Sequence, residues 1–406
     1  MGKKFVDSRA VDLKFLEDLK SVKLKYFLES VKNHPELELC FRGNRGNGKQ
    51  AVTIYRDNHI VWDIETSDFE KYTVTISFNH ARYTEKWKEK EIKGALEKLN
   101  FIVNDVVKKT KGENNTPSYD ITNPSVTLTD YTKDFVETSY GILKVIFDDY
   151  FNYDGKHSIN YFREEYNKKN NINESYKASK KACVEKIFQQ KLFTNVLNGV
   201  HTRYFSYDLE FEQPYPTKEY KKNVKTNKPD MLAIKQEGEK YKLVLVEVKS
   251  TYAACEGKSD VIKHLDGMKD YLDEKIHYEF KGKVVYDDYV IKSRRKEAID
   301  IIKAYQFLGL RKIEFNNNFW KYFSFDEDKL DEIIDGMEIL VIFTDKNIGK
   351  KYNYRSDKND AIKWYKSVFE NKNNSKYLSI RDVVNTINKK NVVVKFGTYT
   401  DLNGLT

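Results

Sequence analysis

Cysteine is scarce in this sequence, with three residues among 406. Cys40, Cys183 and Cys255 lie far apart and are odd in number. A disulfide framework needs an even set of cysteines, and a C-x-x-C metal knuckle needs closely spaced pairs, so the sequence excludes both. We therefore expect the three thiols to be reduced.

Long apolar runs are also absent. The opening residues "MGKKFVDSRAVDLKFLEDLK" carry charges throughout and lack the apolar centre of a signal peptide. No later stretch approaches the roughly 20 apolar residues that a membrane-spanning helix needs. We therefore expect a cytoplasmic protein that has no membrane partner.

Length and charge set the outer limits of the interpretation. A chain of 406 residues is longer than a typical domain, so two domains are expected. Lys and Arg total 71 and Asp and Glu total 62, which gives a formal net charge of +9. This excess is compatible with a polyanionic partner such as nucleic acid, and equally with the Lys- and Asn-rich composition of proteins from AT-rich genomes.

The N-terminal part of the sequence predicts helices followed by a meander of strands. Apolar positions between residues 8 and 33 recur at helical spacings, which indicates one or two helices. The runs "LELCF", "AVTIYRD", "HIVWDIE" and "YTVTISF" are short, rich in β-branched and aromatic residues, and separated by turn residues. They predict antiparallel strands. We expect this N-terminal α+β module to occupy residues 1–155.

Residues 42–50, "RGNRGNGKQ", fit the pattern G-x-x-x-x-G-K of a phosphate-binding loop. Such a loop joins a strand to a helix and ends in a Ser or Thr that binds Mg²⁺. Here Gln50 replaces the hydroxyl and a predicted strand follows, so the segment is interpreted as a hairpin loop and an NTPase is disfavoured. Arg42, Arg45 and Lys49 on this loop could contact a nucleic-acid backbone or could simply be solvated.

Two further helices and a polar junction complete the N-terminal half. The charged segment "EKWKEKEIKGALEKLNFIV" predicts an amphipathic helix, and "TKDFVETSYGILKVIFDDYF" predicts a helix with a buried stripe. Residues 151–178 are polar and rich in Asn. We therefore expect the main domain junction to lie there.

The most informative stretch is "NKPDMLAIKQEGEKYKLVLVEVKST", residues 227–251. It contains two apolar strands joined by a turn; Asp230 opens the first strand, and Glu247 and Lys249 close the second. Residues two apart on a strand point to the same face, so Glu247 and Lys249 share a face. A hairpin would place Asp230 beside them.

These three charged residues suggest metal-dependent chemistry. Burying charges is costly unless they pair with one another or bind something. Carboxylate oxygens are hard ligands, and Mg²⁺ is commonly held by one or two carboxylates plus substrate phosphate. Asp230 and Glu247 are therefore candidate ligands of Mg²⁺ or Mn²⁺, and Lys249 would assist the attacking water and stabilise charge on phosphorus. The alternative is a surface hairpin in which the charges are solvated.

Pro229, Asp230, Glu247 and Lys249 resemble the motif of the PD-(D/E)xK nuclease superfamily, in which a hairpin separates Pro-Asp from Glu-x-Lys. The resemblance extends over roughly residues 178–345. It implies a restriction-endonuclease-like α/β domain with a mixed sheet, which we assign to residues 156–406. In that family, a helix with an acidic residue and a first strand precede the motif, and a helix and a fourth strand follow it.

Segments with the expected patterns surround the motif. "SKKACVEKIFQQKLFTNVLNG" predicts the first helix, on which Glu185 is the candidate acidic residue and outer metal ligand, and "YFSYDLEFEQPY" predicts the first strand. "VIKHLDGMKDYLDEK" predicts the second helix. "EILVIFTD" predicts the fourth strand and leaves an insertion at about residues 280–335 and a C-terminal extension. Alternatively, "GKVVYDDYVI" is the fourth strand and everything after residue 292 is the extension.

Further residues could contact the substrate. Lys221, Lys222, Lys225 and Lys228 precede Asp230 in a basic loop. This loop would attract phosphates and make binding depend on salt, or it could form an ordinary solvated face. His264 on the second helix could contact the attacking water or the scissile phosphate, or it could be a surface histidine.

The resemblance thus implies a Mg²⁺-dependent endonuclease that hydrolyses phosphodiester bonds. We expect DNA rather than RNA as the substrate, and a role in restriction or in antiviral defence of a bacterium. The N-terminal module could bind nucleic acid, a partner protein or a second copy of the chain, which would give a homo-oligomer. The alternative is a nucleic-acid-binding or assembly protein with a structural nuclease-like domain, which the intact Asp, Glu and Lys set disfavours.

Overall fold

The chain forms two compact units, Val11–Cys183 and the combination of Met1–Ala10 with Val184–Thr406. The computed structural model describes residues 9–44, 49–56, 59–76, 125–150, 189–190, 193, 204–209, 229–237, 240–249, 255, 260–273, 275–280, 283–310, 333–343, 358–371, 373–389 and 392–398. The first ten residues thus belong with the second unit. The predicted junction at residues 151–178 and the predicted helix at residues 85–103 lie outside the described residues.

The first unit combines helices with an antiparallel sheet. Its described elements are α1 (Leu13–Lys20), α2 (Lys25–Asn33), β1 (Leu37–Asn44), β2 (Gln50–Arg56), β3 (His59–Thr66), β4 (Tyr72–Ile76), β5 (Ser125–Leu128) and α3 (Lys133–Tyr150). The strands follow one another in the order β1-β2-β3-β4-β5, and every neighbouring pair is antiparallel. The predicted meander, the opening helices and the helix near residue 140 are therefore confirmed.

The meander forms because apolar residues alternate along its strands. In β4, Tyr72, Val74 and Ile76 are buried, whereas the threonines between them are half-buried. Helix α2 supplies Phe27, whose ring meets the indole of Trp62 on β3 edge to face with 5.3 Å between centroids. One face of the sheet therefore carries an aromatic core that helices cover.

The segment that matches the phosphate-loop pattern lies in a hairpin. Asn44 at the end of β1 pairs with Gln50 at the start of β2 in an antiparallel register. Lys49 forms an ion pair with Glu65 on β3, the neighbouring strand. Because a strand follows the loop, the helix N-terminus that would cradle a phosphate is missing at this position, and the hairpin prediction is confirmed.

The second unit is built on a mixed sheet. Its described elements are β6 (Tyr204–Leu209), β7 (Met231–Glu237), β8 (Lys240–Lys249), α4 (Asp260–Asp273), β9 (Lys275–Phe280), β10 (Lys283–Tyr289), α5 (Val290–Leu308), β11 (Ile333–Phe343), α6 (Lys358–Phe369), a 3-10 turn (Ser375–Tyr377), α7 (Leu378–Asn388) and β12 (Val393–Thr398). The sheet order is β12-β11-β8-β7-β6. Strand β7 is antiparallel to both β6 and β8, whereas β11 runs parallel to β8 and β12 parallel to β11.

Strand β11 is the one that joins the sheet beside β8, as predicted for "EILVIFTD". The alternative strand, "GKVVYDDYVI", is β10, which pairs with β9 in a separate two-stranded hairpin. That alternative is therefore wrong as an assignment of the fourth strand. A parallel pair needs a long crossover, and α4, the hairpin and α5 lie between β8 and β11.

Elements in the predicted insertion and extension contribute to the core of this unit. Helix α5 packs against α4, β6 and β8, and its Ile301 and Tyr305 side chains are fully buried. Strand β12, which was not predicted, extends the sheet beyond β11. Trp364 on α6 lies between Phe343 of β11 and Phe396 of β12, with ring centroids 5.1 Å and 5.4 Å away.

The protein is therefore a mixed α+β protein with one antiparallel and one mixed five-stranded sheet among its described residues. The register of the mixed sheet sets its two faces. Leu245, Glu247 and Lys249 point to one face, and Val244, Val246 and Val248 to the other. No helix in the described part of the chain is long and apolar enough to cross a membrane.

Candidate active site

The hairpin β7–β8 brings the three predicted site residues together. Met231 pairs with Val246, so Asp230, one residue earlier, lies across from Glu247. Oδ2 of Asp230 accepts a hydrogen bond of 2.7 Å from the backbone N–H of Val248, between Glu247 and Lys249. The two carboxylates and the ammonium therefore lie at the end of β8, as the two-residue period of a strand predicts.

Glu247 is the most deeply buried charged group of the site. Its side chain is 0% exposed, although it carries a carboxylate. Oε1 lies 2.5 Å from Nζ of Lys249 and 2.5 Å from Nδ1 of His264. Oε2 is also buried, and none of the described residues forms a hydrogen bond with it. Leaving a buried carboxylate oxygen without a partner is costly, so this atom is suited to a ligand from outside the protein.

Lys249 is buried beside the carboxylates. Its side chain is 8% exposed, and its charged end contacts the carboxylate two residues before it on the same strand. A buried ammonium is stabilised by such a neighbour, because attraction between charges is stronger where water is excluded. The contact fixes a positive charge beside Glu247 and Asp230.

His264 approaches from helix α4. This helix buries Val261, Leu265 and Met268, all 0% exposed, along one stripe. His264 lies next to that stripe in the helical repeat and is 40% exposed, while its Nδ1 contacts Glu247. The site thus consists of residues from two strands and one helix, with one side open to solvent.

Some predicted contact residues lie elsewhere or outside the described residues. Arg42 and Lys49 belong to the first unit: Arg42 is buried and donates a hydrogen bond of 2.7 Å to the hydroxyl of Tyr55, and Lys49 is paired with Glu65. The remaining predicted residues, Glu185, Arg45, Lys221, Lys222, Lys225 and Lys228, lie outside the described part of the chain. The structure therefore brings Asp230, Glu247, Lys249 and His264 together.

A charged cluster on the opposite face of the sheet was not predicted. Glu338 on β11 is 1% exposed; its Oε2 lies 3.0 Å from Nζ of Lys235 and 3.0 Å from Nζ of Lys395, and the hydroxyl of Tyr204 donates to its Oε1. Burial, together with the neighbouring Lys235, lowers the pKa of Lys395, while Glu338 opposes this shift. A sequence signal was present, because Glu338 and Lys235 interrupt apolar strands.

A second unpredicted cluster lies on the same sheet face as Glu247. Asp208 on β6 pairs with Leu232, whose partner Leu245 shares a face with Glu247. Nε of Arg9 lies 3.4 Å from Oδ2 of Asp208. The backbone N–H of Arg9 also donates to Oε2 of Glu297 on α5 at 2.5 Å. The N-terminal segment therefore connects β6 with α5.

Comparison with protein-family models, with curated proteins and with solved structures yields no match to this chain.

Proposed function

We propose that the protein is a metal-dependent nuclease that hydrolyses phosphodiester bonds, with DNA as the expected substrate. The observation that supports this function most strongly is the buried carboxylate of Glu247, whose Oε2 has no hydrogen-bond partner among the described residues. Asp230 lies across from it, and Lys249 and His264 contact its other oxygen. An acidic pair beside fixed positive charge is suited to a cation and a phosphate group.

The donor set fits a hard divalent cation. Asp230 and Glu247 would hold Mg²⁺ or Mn²⁺, through Oε2 in the case of Glu247. The described residues contain no group of three or more His, Cys, Asp or Glu side chains arranged to hold a metal ion, so water and substrate phosphate would complete the coordination. When bound, such an ion polarises the phosphoryl oxygens and favours attack at phosphorus.

The chain's own residues would carry out the remaining tasks. In hydrolysis, the oxygen of water bonds to phosphorus and gives up a proton to the solvent, the P–O bond to the leaving oxygen breaks, and that oxygen takes up a proton from the solvent. Lys249 would hold the attacking water and stabilise the negative charge that develops on the phosphoryl oxygens. Asp230 and Glu247 would hold the cation beside which the reacting phosphate is positioned.

The test is digestion of plasmid DNA, linear duplex DNA, single-stranded DNA and RNA, each with Mg²⁺, with Mn²⁺ and with a chelator. We expect cleavage of DNA that requires the divalent ion. Glu247→Gln and Asp230→Asn each keep the shape of the side chain and remove its charge, so each should lower cleavage by at least about a hundredfold. Circular dichroism would check that both variants are folded.

A matched control is Lys242→Ala, which changes a half-buried lysine on the same strand and outside the site. We expect it to cut like the parent protein. Full activity in purified Glu247→Gln, or cleavage that persists in the chelator, would contradict the proposed function. Nucleic-acid binding that survives with no cleavage under any condition would instead favour a binding protein with a structural nuclease-like domain.

A further inference from the structure

The contact between His264 and Glu247 joins two different elements. Glu247 and Lys249 belong to one strand and share its face, so their contact is local. His264 belongs to α4, which buries Val261 and Leu265 and packs against β8. Of the two contacts that Glu247 Oε1 makes, the one with His264 therefore connects the carboxylate to helix α4.

The two contacts on Oε1 have a geometric consequence. A carboxylate oxygen offers about two lone-pair sites to donors. Lys249 and His264 both approach Oε1 at 2.5 Å, so this oxygen is saturated, and Oε2 is left for a ligand. An ionised carboxylate only accepts hydrogen bonds, so the hydrogen in the second contact is assigned to Nδ1 of His264.

Lys249 alone would hold Glu247 less firmly. A lysine ammonium carries three rotatable donors on a flexible stem, so it could move between the two carboxylate oxygens. That movement would place the ammonium on Oε2 and compete with a bound cation. The imidazole ring is planar and has fewer rotatable bonds than lysine, and its helix packs against β8, so its Nδ1 contact defines which oxygen the donors occupy.

We propose that His264 is a positioning residue: through Nδ1 it holds the Glu247 carboxylate so that Oε2 faces the cation. This inference rests on the proposed function, because the cation is the one the nuclease site would hold. His264 acts through Glu247 and takes no part in the bond changes at phosphorus. It therefore differs from both alternatives that the sequence left open, in which His264 contacts the water or the phosphate or is a surface histidine.

Three substitutions at position 264 separate the possible roles. The side-chain nitrogen of Asn lies as many bonds from Cα as Nδ1 of His, so His264→Asn keeps a donor for Glu247. The nitrogen of Gln lies as far out as Nε2, so His264→Gln keeps a donor at the outer position. His264→Ala removes both. Lys263→Ala is the matched control, because Lys263 is the exposed neighbour on the same helix.

Two measurements are made on the full chain. The first is Mn²⁺ binding without nucleic acid, followed by electron paramagnetic resonance. The second is the single-turnover rate of DNA cleavage at saturating Mg²⁺. We expect His264→Ala and His264→Gln to bind Mn²⁺ about tenfold more weakly than the parent, in line with the loss of a group that orients a metal ligand. His264→Asn and Lys263→Ala should stay within about threefold.

The outcomes decide between the roles. Rescue of both Mn²⁺ binding and cleavage by Asn supports positioning through Nδ1. Rescue by Gln and not by Asn would overturn it in favour of an outer contact through Nε2, and equal behaviour of all the variants would overturn it as well. If the parent binds Mn²⁺ in a way that depends on His264 yet cuts nothing, the proposed function fails and the positioning role stands. A parent chain that binds no Mn²⁺ overturns both.

Discussion

Glu247 and Lys249 illustrate how a strand brings two charged side chains together from local sequence. They are two residues apart on β8 and therefore point to the same face. Nζ of Lys249 lies 2.5 Å from Oε1 of Glu247. Both side chains are buried, so water screens the pair weakly. In the proposed nuclease, the fixed charge of Lys249 would stabilise the transition state more than the bound substrate.

Lys249→Ala should therefore separate cutting from binding. We expect the affinity for DNA to stay within about threefold and the rate of cleavage to fall at least about a hundredfold, because the lost charge acts mainly in the transition state. Fluorescence anisotropy of labelled DNA in Ca²⁺ would measure binding, and single-turnover assays in Mg²⁺ would measure the rate.

The same assays on Lys242→Ala serve as the control, since this lysine lies on β8 and outside the site. Both quantities should remain at the parent value. A parallel loss of binding and cleavage in Lys249→Ala would assign this residue to substrate attachment. Normal cleavage by the variant would remove it from the mechanism.

The sequence predicted the strand residues of the site and missed the partner of its histidine. Asp230, Glu247 and Lys249 follow from a hairpin with a two-residue period, which is local information. The contact of His264 with Glu247 depends on how α4 rotates over the sheet, and burial of Val261 and Leu265 sets that rotation. The hydrophobic periodicity of a sequence does not predict tertiary contacts of this kind.

At the scale of elements, a short N-terminal segment connects a strand and a helix of the second unit. Arg9 is 13% exposed, and it reaches Asp208 of β6 with its side chain and Glu297 of α5 with its backbone. Both carboxylates are buried, with exposures of 1% and 0%. Removing a cation from a buried carboxylate is strongly destabilising, because the charge is then left in a poorly solvating place.

Arg9→Ala should lower the free energy of unfolding of the second unit by about 3 kcal/mol. Urea unfolding with a probe in that unit would measure the change. In Arg9→Ala combined with Asp208→Asn, the loss should be smaller than the sum of the two single losses, because the pair is already broken. Additive losses would show that Arg9 and Asp208 do not stabilise the unit through their contact, and an unchanged midpoint in Arg9→Ala would show that Arg9 does not stabilise it at all.

Helices and strands were predicted correctly where the hydrophobic pattern of a single segment was sufficient to identify them. The meander followed from alternating β-branched residues, and β11 from a wholly apolar run. Strand β12 was missed, although residues 392–394 are three consecutive valines. The resemblance implies four strands, so it gives no reason to expect a fifth. Strand β12 belongs to the sheet because it pairs with β11, from which it is distant in sequence.

At the scale of the whole molecule, the division into units does not follow sequence order. The first ten residues belong with the second unit, and Val11–Cys183 form the first. Contacts such as that of Arg9 with Asp208 join positions that are distant in the chain, so composition alone could not predict them. Because each unit has its own core, the two can respond differently to solution conditions.

Alkaline pH should affect the two units in opposite directions. Burial, and for Tyr72 a hydrogen bond to Asp18, raise the pKa values of Tyr72 and Tyr131 in the first unit above the ordinary 10.0. Their contribution to stability is present below pH 10.0 and is lost as the pH rises above it. Lys395 in the second unit has a pKa below the ordinary 10.5. At pH values between the two, this lysine therefore binds more protons in the unfolded protein than in the folded protein. Its contribution to stability therefore grows as the pH rises toward 10.5.

A buried cysteine in the described part of each unit allows this difference to be measured. Cys40 lies in the first unit and Cys255 in the second, and neither is disulfide-bonded. Urea unfolding at several values from about pH 9 to about pH 11, with a short pulse of a thiol reagent and mass spectrometry, would give each unit's midpoint. We expect the Cys40 midpoint to fall with pH and Tyr72→Phe to weaken that fall. Lys395→Met should remove part of the opposing trend at Cys255, and an unchanged pH slope in either variant would show that its side chain does not cause the dependence.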